Sequence, residues 1–521
     1  YNCSRFGPYS AVIYEDLQND DVRDVREYTN VDIAREAGQL AEGLRALGIS
    51  KGDRVIAMML NSPELLIAYQ GISRAGAVII PVKPLLKGPE VRYIAQNSGA
   101  KAIITSPVLL PLLRSALADV PTVEHIITTG AVEEQEHNAA NPYEAPSVHT
   151  FSSLLEKGAA KVENFLSTEE DIRVSTDDTA AILYTSGTTG NPKGVVLSHR
   201  SLISNALSGR GPEREERDTE TNLAVLPLAH AYGILASNVF FLRGLSIVIH
   251  PRFDTTAVFS AIERHRIAAF AGVPAMFVAL LYSPDAEKYD TSSLQTCVSG
   301  SAPLPLAILE GFEQKFNCQI LEGYGLSEAS AALTGHALEM TRKPGSVGKP
   351  LPNVELLVVD ENDQPVAEGE IGEVVARGPN IMRSYYNMPE ETQEALRNGW
   401  LHTGDMGRLD EDGYLYIVER KKDLIIRGGF NVYPRDVEEV LNRHPAVIES
   451  AVIGIPSERM GEEVKAFVVT SETIDAESLM NHCRKSLANY KTPSEIEFIS
   501  MLPRNPVGKI DKKELRRQHV H

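Results

Sequence analysis

The chain has 521 residues, of which 43% are hydrophobic, so it is long enough for more than one domain and apolar enough for large buried cores. Its net charge of -19 at pH 7 excludes a general nucleic-acid binder and an anionic-membrane binder, because both need a basic surface. The chain has no apolar run long enough for a transmembrane helix. Since it begins at Tyr1 rather than at a methionine, the question of a targeting peptide that has been cleaved off stays open.

Cysteine usage indicates the redox environment. The cysteines lie far apart in the sequence and lack the spacing of metal ligands; they are Cys3, Cys297, Cys318 and Cys483. This pattern favours a reduced, cytoplasmic protein over a secreted, disulfide-bonded one.

The first part of the chain alternates between strand and helix patterns. Residues 32–47 and 62–74 carry apolar residues at helical spacing. Strands are predicted by apolar runs at 54–60, 77–81, 100–105 and 125–129. This alternation predicts an α/β fold with a parallel sheet covered by helices. Residues 132–168 are polar, alanine-rich and weakly periodic, which predicts a surface excursion.

The βα alternation resumes over residues 222–335, after which short strands and turns dominate up to residue 420. A hairpin is predicted at 408–418. The last hundred residues predict a small α+β unit, with helices at 434–443 and 476–487 and strands at 448–453, 463–469 and 495–499. The charged stretch 419–423 is the predicted linker, which divides the chain into domains of residues 1–420 and 421–521.

The stretch YTSGTTGNPKGV at 184–195 has the composition of a phosphate-binding loop, with glycines, hydroxyl side chains and a lysine. It is not a Walker loop, because Pro192 precedes Lys193 and Gly194 follows it. Apolar runs flank the stretch, so we expect it to join two strands. Such a loop suits a triphosphate that is released as pyrophosphate. The alternative is an ordinary flexible hairpin tip, which glycine and proline alone would explain.

The same stretch matches the phosphate loop of the adenylate-forming superfamily, which includes acyl-CoA synthetases, firefly-type luciferases and the adenylation domains of peptide synthetases. Further motifs of that superfamily follow in order: LPLAHAYG (226–233), GSAPLP (300–305), GYGLSE (323–328), WLHTGD (400–405), ERKKDLIIRGG (419–429) and PVGKI (506–510). Together they cover almost the whole chain. The sequence therefore resembles this superfamily and, within it, fatty acyl-CoA synthetases most.

The resemblance implies a large N-terminal domain of mixed and parallel sheets with a small β-rich subdomain, a hinge near Lys422, and a small mobile C-terminal α+β domain. It also implies two half-reactions, since a carboxylate must be activated before a thiol can attack it. In the first, the acid and ATP form an acyl-adenylate and pyrophosphate. In the second, the thiol of coenzyme A displaces AMP. ATP, Mg²⁺ and coenzyme A are therefore expected.

The resemblance also implies which residues bind ATP and the metal. Tyr324 is expected to stack on adenine, Asp405 to bind the ribose hydroxyls, and Glu328 and Thr185 to bind Mg²⁺. A core tyrosine, an ordinary turn and a solvated carboxylate are the structural alternatives for the first three. The full ATP-binding set is Thr185, Ser186, Gly187, Thr188, Thr189, Gly190, Lys193, Gly300, Ser301, Ala302, Gly323, Tyr324, Gly325, Ser327, Asp405, Arg420 and Lys509.

By the same resemblance, catalysis falls to Lys509, His230 and Lys193. Lys509 is expected to reach the carboxylate and the α-phosphate during adenylation, and His230 to stand beside the acyl carboxylate. The acyl chain is expected to contact His230, Tyr232, Gly233 and Ala302, and the pantetheine arm to pass Gly428 and Gly429.

The substrate is predicted from the pocket segments. Residues 229–238 contain no acid, so an amino-acid substrate would bury an unpaired charge, which is costly. Together with 271–277 and 329–333, this segment is apolar and rich in small residues, which favours a medium- or long-chain fatty acid. Three alternative functions stay open: an aryl-CoA ligase of the benzoate or cinnamate type, a fatty acyl-AMP ligase, and a catalytically silent nucleotide-binding protein. The oligomeric state, monomer or homodimer, also stays open.

Overall fold

The computed structural model describes residues 2–18, 21–130, 146–161, 174–185, 192–209, 217–337, 340–457, 459–505 and 509–519. It is a large α/β assembly of mixed sheets and helices followed by a smaller α+β unit, as the sequence predicts. Within these ranges, no helix is both long enough and apolar enough to cross a membrane.

The elements up to residue 130 confirm every strand and helix predicted there. Helix α2 begins where Thr29 and Asp32 form a capping box, and its buried Ile33, Ala37 and Leu40 recur at helical spacing. The elements are α1 (Asn2–Phe6), β1 (Ser10–Gln18), β2 (Asp21–Thr29), α2 (Asn30–Ala46), β3 (Arg54–Met58), α3 (Pro63–Arg74), β4 (Val78–Pro81), α4 (Gly88–Ser98), β5 (Ala102–Thr105), α5 (Leu110–Ala116) and β6 (His125–Thr128).

The prediction of a surface excursion at 132–168 is wrong where the structure describes it. Strand β7 (Ser147–Thr150) pairs in parallel with β6, and helix α6 (Phe151–Ala159) buries Phe151 and Leu154 and packs on α2. So short a strand and helix bury too few residues for a periodic pattern to stand out. Residues 131–145 and 162–173 lie outside the described ranges.

The next elements are β8 (Thr179–Thr185), β9 (Lys193–Ser198), α7 (His199–Gly209), β10 (Thr221–Ala224), α8 (Ala231–Arg243), β11 (Ser246–Ile249), α9 (Thr255–His265), β12 (Ile267–Gly272), α10 (Pro274–Leu281), β13 (Thr296–Ser299), α11 (Leu306–Phe316), β14 (Gln319–Glu322) and β15 (Thr334–Gly335). In the described part of the chain, one sheet has the order β14-β13-β12-β10-β11-β1-β2, with only β2 antiparallel. The carboxyl ends of its parallel strands therefore lie at one edge, where ligands bind in open α/β sheets.

Short strands then dominate, as predicted: β16 (Lys349–Pro350), β17 (Glu355–Val359), β18 (Gly372–Arg377), β19 (Ser384–Tyr385), the helix α12 (Pro389–Ala395), β20 (Leu401–Leu409) and β21 (Leu415–Arg420). Strands β20 and β21 form the predicted hairpin, and Gly413 in its turn has a φ of 79°. Strand β19 pairs with β9, which gives a second sheet the order β19-β9-β8-β4-β3-β5-β6-β7 among the described residues.

The last unit contains β22 (Ile425–Arg427), β23 (Phe430–Val432), α13 (Pro434–Asn442), β24 (Val447–Ser457), β25 (Gly461–Thr470), α14 (Ala476–Ser486), β26 (Glu495–Phe498) and α15 (Lys512–His519). Its strands form a sheet of their own, and Val437, Leu441, Val452 and Leu479 pack together in a separate core. The predicted α+β character is confirmed. The boundary between residues 420 and 421 falls where β21 ends and stays a prediction.

Candidate active site

Three of the motifs that carry the resemblance lie at the carboxyl edge of the first sheet. Residues 226–230 follow β10, 300–302 follow β13, and 323–325 follow β14. Because these strands are parallel neighbours or next neighbours, segments that are far apart in the sequence reach one edge.

The phosphate loop joins two antiparallel strands, as predicted. Thr185 at the end of β8 pairs with Lys193 at the start of β9, and its hydroxyl Oγ1 donates to the Lys193 carbonyl at 3.5 Å. Five predicted ATP-binding residues lie outside the described residues: Ser186, Gly187, Thr188, Thr189 and Gly190.

Tyr385 links the loop lysine to the predicted metal ligand. The Lys193 ammonium Nζ lies 4.9 Å from the centroid of the Tyr385 ring, a cation–π contact. The Tyr385 hydroxyl donates to Glu328 Oε1 at 2.8 Å. Burial and the neighbouring carboxylate raise the pKa of Tyr385 above its usual range, so the phenol stays a donor. Sequence reasoning missed Tyr385, because nothing in RSYYN marks a functional tyrosine.

The oxygen donors available here fit Mg²⁺ that is held mainly by a nucleotide. Glu328 supplies a carboxylate and Thr185 a hydroxyl, both hard ligands. In the described part of the chain no group of three or more His, Cys, Asp or Glu side chains could hold a metal by itself. Magnesium commonly takes one or two protein carboxylates and completes its shell with substrate phosphates and water.

A slot lies between the ends of β13 and β14. A methyl group added at Gly300 would meet only the Gly323 carbonyl, at 3.8 Å, and one added at Gly323 would lie 3.3 Å from the Thr334 carbonyl. Gly300 therefore borders open space that a flat base can enter, whereas a side chain at Gly323 would crowd the Thr334 carbonyl. Ser301, beside Gly300 and before Ala302, has a φ of 71°, which is uncommon for a residue other than glycine.

The segment after this slot is held tightly. Tyr324 forms a bridge with Thr334, and Ser327 and Glu328 lie in a short 3-10 turn. A methyl group at Gly325 would lie 2.0 Å from the Ala331 carbonyl, so packing alone requires this glycine.

Asp405 contacts both Tyr324 and Arg420. Its side chain is 5% exposed, Oδ2 accepts from the Tyr324 hydroxyl at 2.6 Å, and Oδ1 lies 2.9 Å from Arg420 Nε. Asp405 raises the pKa of Arg420, and burial together with Asp405 raises that of Tyr324. Each carboxylate oxygen has a further lone pair, so Asp405 can still accept from ribose hydroxyls.

Three basic side chains lie in the same region: Lys83 after β4, His230 after β10, and Lys509 near the end of the chain. Burial and then Lys509 lower the pKa of Lys83 to about 8. Burial and then Arg420 lower that of Lys509 to about 8. Burial, Lys83 and Lys509 lower that of His230 to about 3. A site that destabilises several positive charges suits an anion, and sequence reasoning missed Lys83 because PVKP carries no distinguishing signal.

His230 caps helix α8, which fixes its hydrogen-bonding role. Its Nδ1 accepts from the backbone N–H of Tyr232 at 3.4 Å. With the ring neutral and Nδ1 accepting, the proton belongs on Nε2. His230 therefore offers a hydrogen-bond donor rather than a charge.

An apolar cavity of about 70 Å³ lies between α8 and the sheet. Tyr232 and Gly233, both predicted to contact the acyl chain, line it. A methyl group at Gly233 would lie 2.4 Å from the Leu228 backbone, so glycine lets α8 pack closely against the segment before it. Ala302 lies just beyond β13. The cavity is lined by Asn222, Leu223, Ala224, Val225, Leu226, Leu228, Tyr232, Gly233, Ala236, Phe240, Ala269, Phe270, Ala271 and Val298.

Gly428 and Gly429 form the turn between β22 and β23. Their φ values of 58° and 83° fit a type I′ hairpin turn, which favours glycine at both positions. The Gly428 N–H donates to the Met460 carbonyl at 2.7 Å. Lys422 lies in the 3-10 turn Lys421–Asp423 between β21 and β22, and burial lowers its pKa. The roles of these residues as coenzyme A contacts and hinge stay predictions.

Two known family models match the sequence. The family model for AMP-binding enzymes matches residues 2–386. The chain belongs to the AMP-binding enzyme family. The model for the C-terminal domain of AMP-binding enzymes matches residues 436–509 of this family member. The adenylate-forming resemblance is confirmed.

Relatives cover nearly the whole chain. It is 35% identical over 509 residues to a long-chain-fatty-acid–CoA ligase of Bacillus subtilis (strain 168), covering 94% of this chain and 90% of the relative. It is 35% identical over 494 residues to a feruloyl-CoA synthase of Amycolatopsis sp, covering 94% of both. The structure of an anthranilate CoA ligase with anthranoyl-AMP has a TM-score of 0.86 at 30% identity, covering 98% of this chain and 94% of that chain.

ATP-bound MatB from Rhodopseudomonas palustris has a TM-score of 0.84 at 32% identity, covering 99% of this chain and 98% of that chain. Together with the family match, these relatives show that this AMP-binding enzyme is an AMP-forming acyl-CoA synthetase. It uses ATP, Mg²⁺ and coenzyme A. The predicted enzyme class is confirmed. The substrate is not fixed by the relatives, because their names include both fatty and aromatic acids.

Proposed function

We propose that this synthetase joins a medium- or long-chain fatty acid to coenzyme A, releasing AMP and pyrophosphate. The apolar cavity between α8 and the sheet carries the proposal, because it is lined by no charged side chain within the described residues. Each methylene buried there contributes about 0.8 kcal/mol. The same lining disfavours an amino acid, whose ammonium would have no carboxylate to pair with.

In the proposed first half-reaction, a carboxylate oxygen of the acid attacks the α-phosphorus of ATP. The new C–O–P linkage forms as the bond between the α-phosphorus and its bridging oxygen breaks, and pyrophosphate leaves. Lys509 and Lys83 neutralise negative charge around the carboxylate and α-phosphate, while His230 donates from Nε2. Mg²⁺, when bound, compensates phosphate charge. Lys509 lowers the pKa of Lys83, and both lysines lower that of His230, which supports a shared site for the three bases.

We assign the rest of the nucleotide to the residues around Asp405. The base enters the slot at Gly300 and Gly323, and the ribose hydroxyls donate to Asp405, which the Tyr324 and Arg420 contacts hold in place. Lys193 holds the departing pyrophosphate. Its contact with the Tyr385 ring supports this role, because it keeps a mobile ammonium close to Glu328.

The second half-reaction needs a different arrangement of the two proposed domains, 1–420 and 421–521. We propose that they rotate about Lys422, which removes Lys509 and brings in the turn at Gly428 and Gly429. The thiol of coenzyme A then loses its proton to solvent and attacks the acyl carbon, a C–S bond forms, and the C–O bond to AMP breaks. The glycines leave room for the thin pantetheine arm.

The test measures pyrophosphate and acyl-CoA formation with ATP and a panel of acids from acetate to palmitate plus benzoates and cinnamates, with and without coenzyme A. For fatty acids that fit the cavity, we expect kcat/KM to rise about fourfold per methylene, which corresponds to about 0.8 kcal/mol. A maximum with an aromatic acid would favour an aryl-CoA ligase. No turnover with any acid would contradict the proposal.

A further inference from the structure

One polar side chain interrupts the apolar wall of the acyl cavity. Asn222 lines the cavity and is 9% exposed. Its amide nitrogen Nδ2 has no hydrogen-bond partner among the residues that the structure describes. Nδ2 itself is buried in the cavity wall. Buried amides almost always have a partner, so an unpartnered amide in the wall of a ligand cavity indicates a partner on the ligand, which the amide group faces on turning about its Cβ–Cγ bond.

The position of Asn222 places it deep in the cavity. Side chains alternate along a strand, so Asn222 and Ala224 of β10 face the same side of the sheet. In the neighbouring strand Ala269 lies opposite Asn222, and two residues further on comes Ala271. All four residues line the cavity.

The parallel strands run toward the edge that holds His230, so Asn222 and Ala269 are the rear of the cavity and Ala224 and Ala271 its front. Asn222 and Ala224 are two residues apart, which corresponds to roughly 7 Å along the strand. An extended acid that has its carboxylate beside His230 would therefore reach the Asn222 amide with its far end.

An unpaired amide has a cost that an apolar side chain would avoid. A buried donor without a partner costs about 1–3 kcal/mol, and leucine has nearly the same shape as asparagine. A synthetase for plain alkyl chains would bind them better with leucine here. Asparagine is therefore unfavourable for an unsubstituted chain and favourable for one that ends in oxygen.

We propose that Asn222 is a specificity-determining residue that hydrogen-bonds an oxygen at the far end of the acyl substrate. The preferred acid then carries a hydroxyl or carbonyl group distal to the carboxylate. This inference rests on the synthetase reaction and the acyl cavity of the proposed function, and it specifies a feature of the acid that the cavity takes. An ω-hydroxy fatty acid and a para-hydroxylated aromatic acid both supply this oxygen.

The test compares matched acids: ω-hydroxydecanoate with decanoate, and para-hydroxycinnamate with cinnamate. We expect the wild-type enzyme to favour the hydroxylated member of at least one pair by about tenfold in kcat/KM, the value of one net hydrogen bond. The pair that shows the preference identifies the aliphatic or the aromatic source. Equal kcat/KM within both pairs would overturn the inference.

The variant Asn222→Leu should lose this preference and gain activity on the member that lacks the hydroxyl. Its Tm should stay equal or rise, because an unpaired buried polar group is removed. A structural role would instead lower Tm and leave the preference unchanged, which would also overturn the inference. Asn222→Ala, which relieves any crowding by leucine, should lose the preference too.

The matched control is Thr221→Val, which also exchanges a polar side chain for an apolar one of the same shape, on the same strand but outside the cavity lining. It should keep the wild-type preference. The two failures are distinguishable. No acyl-CoA from any acid, or a maximum with an aromatic acid, counts against the proposed function, whereas equal kcat/KM within both pairs counts against this inference.

Discussion

The lowered pKa of Lys509 predicts an unusual pH dependence for adenylation. A lysine ordinarily titrates near pH 10.4, whereas burial brings the pKa of Lys509 to about 8. If its charge is needed, the active fraction of free enzyme is about one half at pH 8 and about one tenth at pH 9. We therefore expect kcat/KM to fall about tenfold per pH unit above pH 8, and more steeply if the charge of Lys83 is needed as well.

The assay is acid-dependent exchange of labelled pyrophosphate into ATP without coenzyme A, so that ionisation of the thiol does not contribute. His230, with a pKa of about 3, stays neutral over this range and adds no limb. The variant Lys509→Arg keeps its charge at every pH tested, so its profile should be flatter than that of the wild type. A wild-type profile flat to pH 10, or an identical decline in the arginine variant, would refute the assignment.

Three further perturbations follow from the same contacts. Lys193→Ala should raise the KM for ATP, and an unchanged KM in steady-state pyrophosphate release would contradict its role as a phosphate contact. Tyr385→Phe removes the hydroxyl that orients Glu328 and should raise the Mg²⁺ concentration needed for half-maximal activity, by about tenfold for one hydrogen bond, with Tm as the control. Lys512 forms ion pairs with two half-buried glutamates, Glu419 of β21 and Glu438 of α13. Lys512→Gln should therefore slow adenylation more than thioester formation in stopped-flow measurements, whereas Lys513→Gln, at an exposed position, should change neither.

Where the sequence repeats a strong local pattern, it predicts the structure well. The helix over Asn30–Ala46 and the buried strands after it follow directly from apolar periodicity, because each fills its own segment with core residues. The strand at Ser147–Thr150 and the helix after it were not predicted, because both are short and contribute few core residues to a periodic pattern. The hairpin at β20 and β21 was predictable because glycine marks its turn.

The candidate site divides in the same way. Residues within the motifs, such as Lys193 and Asp405, could be proposed because the motif itself carries the resemblance. Lys83, Tyr385 and Asn222 could not, since each becomes informative only through contacts across the fold. A lysine after a strand is ordinary in a sequence, and only its burial beside Lys509 makes it a candidate for anion binding.

The proposed mechanism requires Lys509 to act in adenylation alone. The decisive measurement compares both half-reactions in Lys509→Ala, namely acyl-adenylate formation from acid and ATP, and thioester formation from supplied acyl-adenylate and coenzyme A. We predict that adenylation falls by about 10²- to 10³-fold, the usual loss on removing one charge-stabilising group, while thioester formation stays close to the wild-type rate. Equal losses in the two half-reactions would contradict this mechanism.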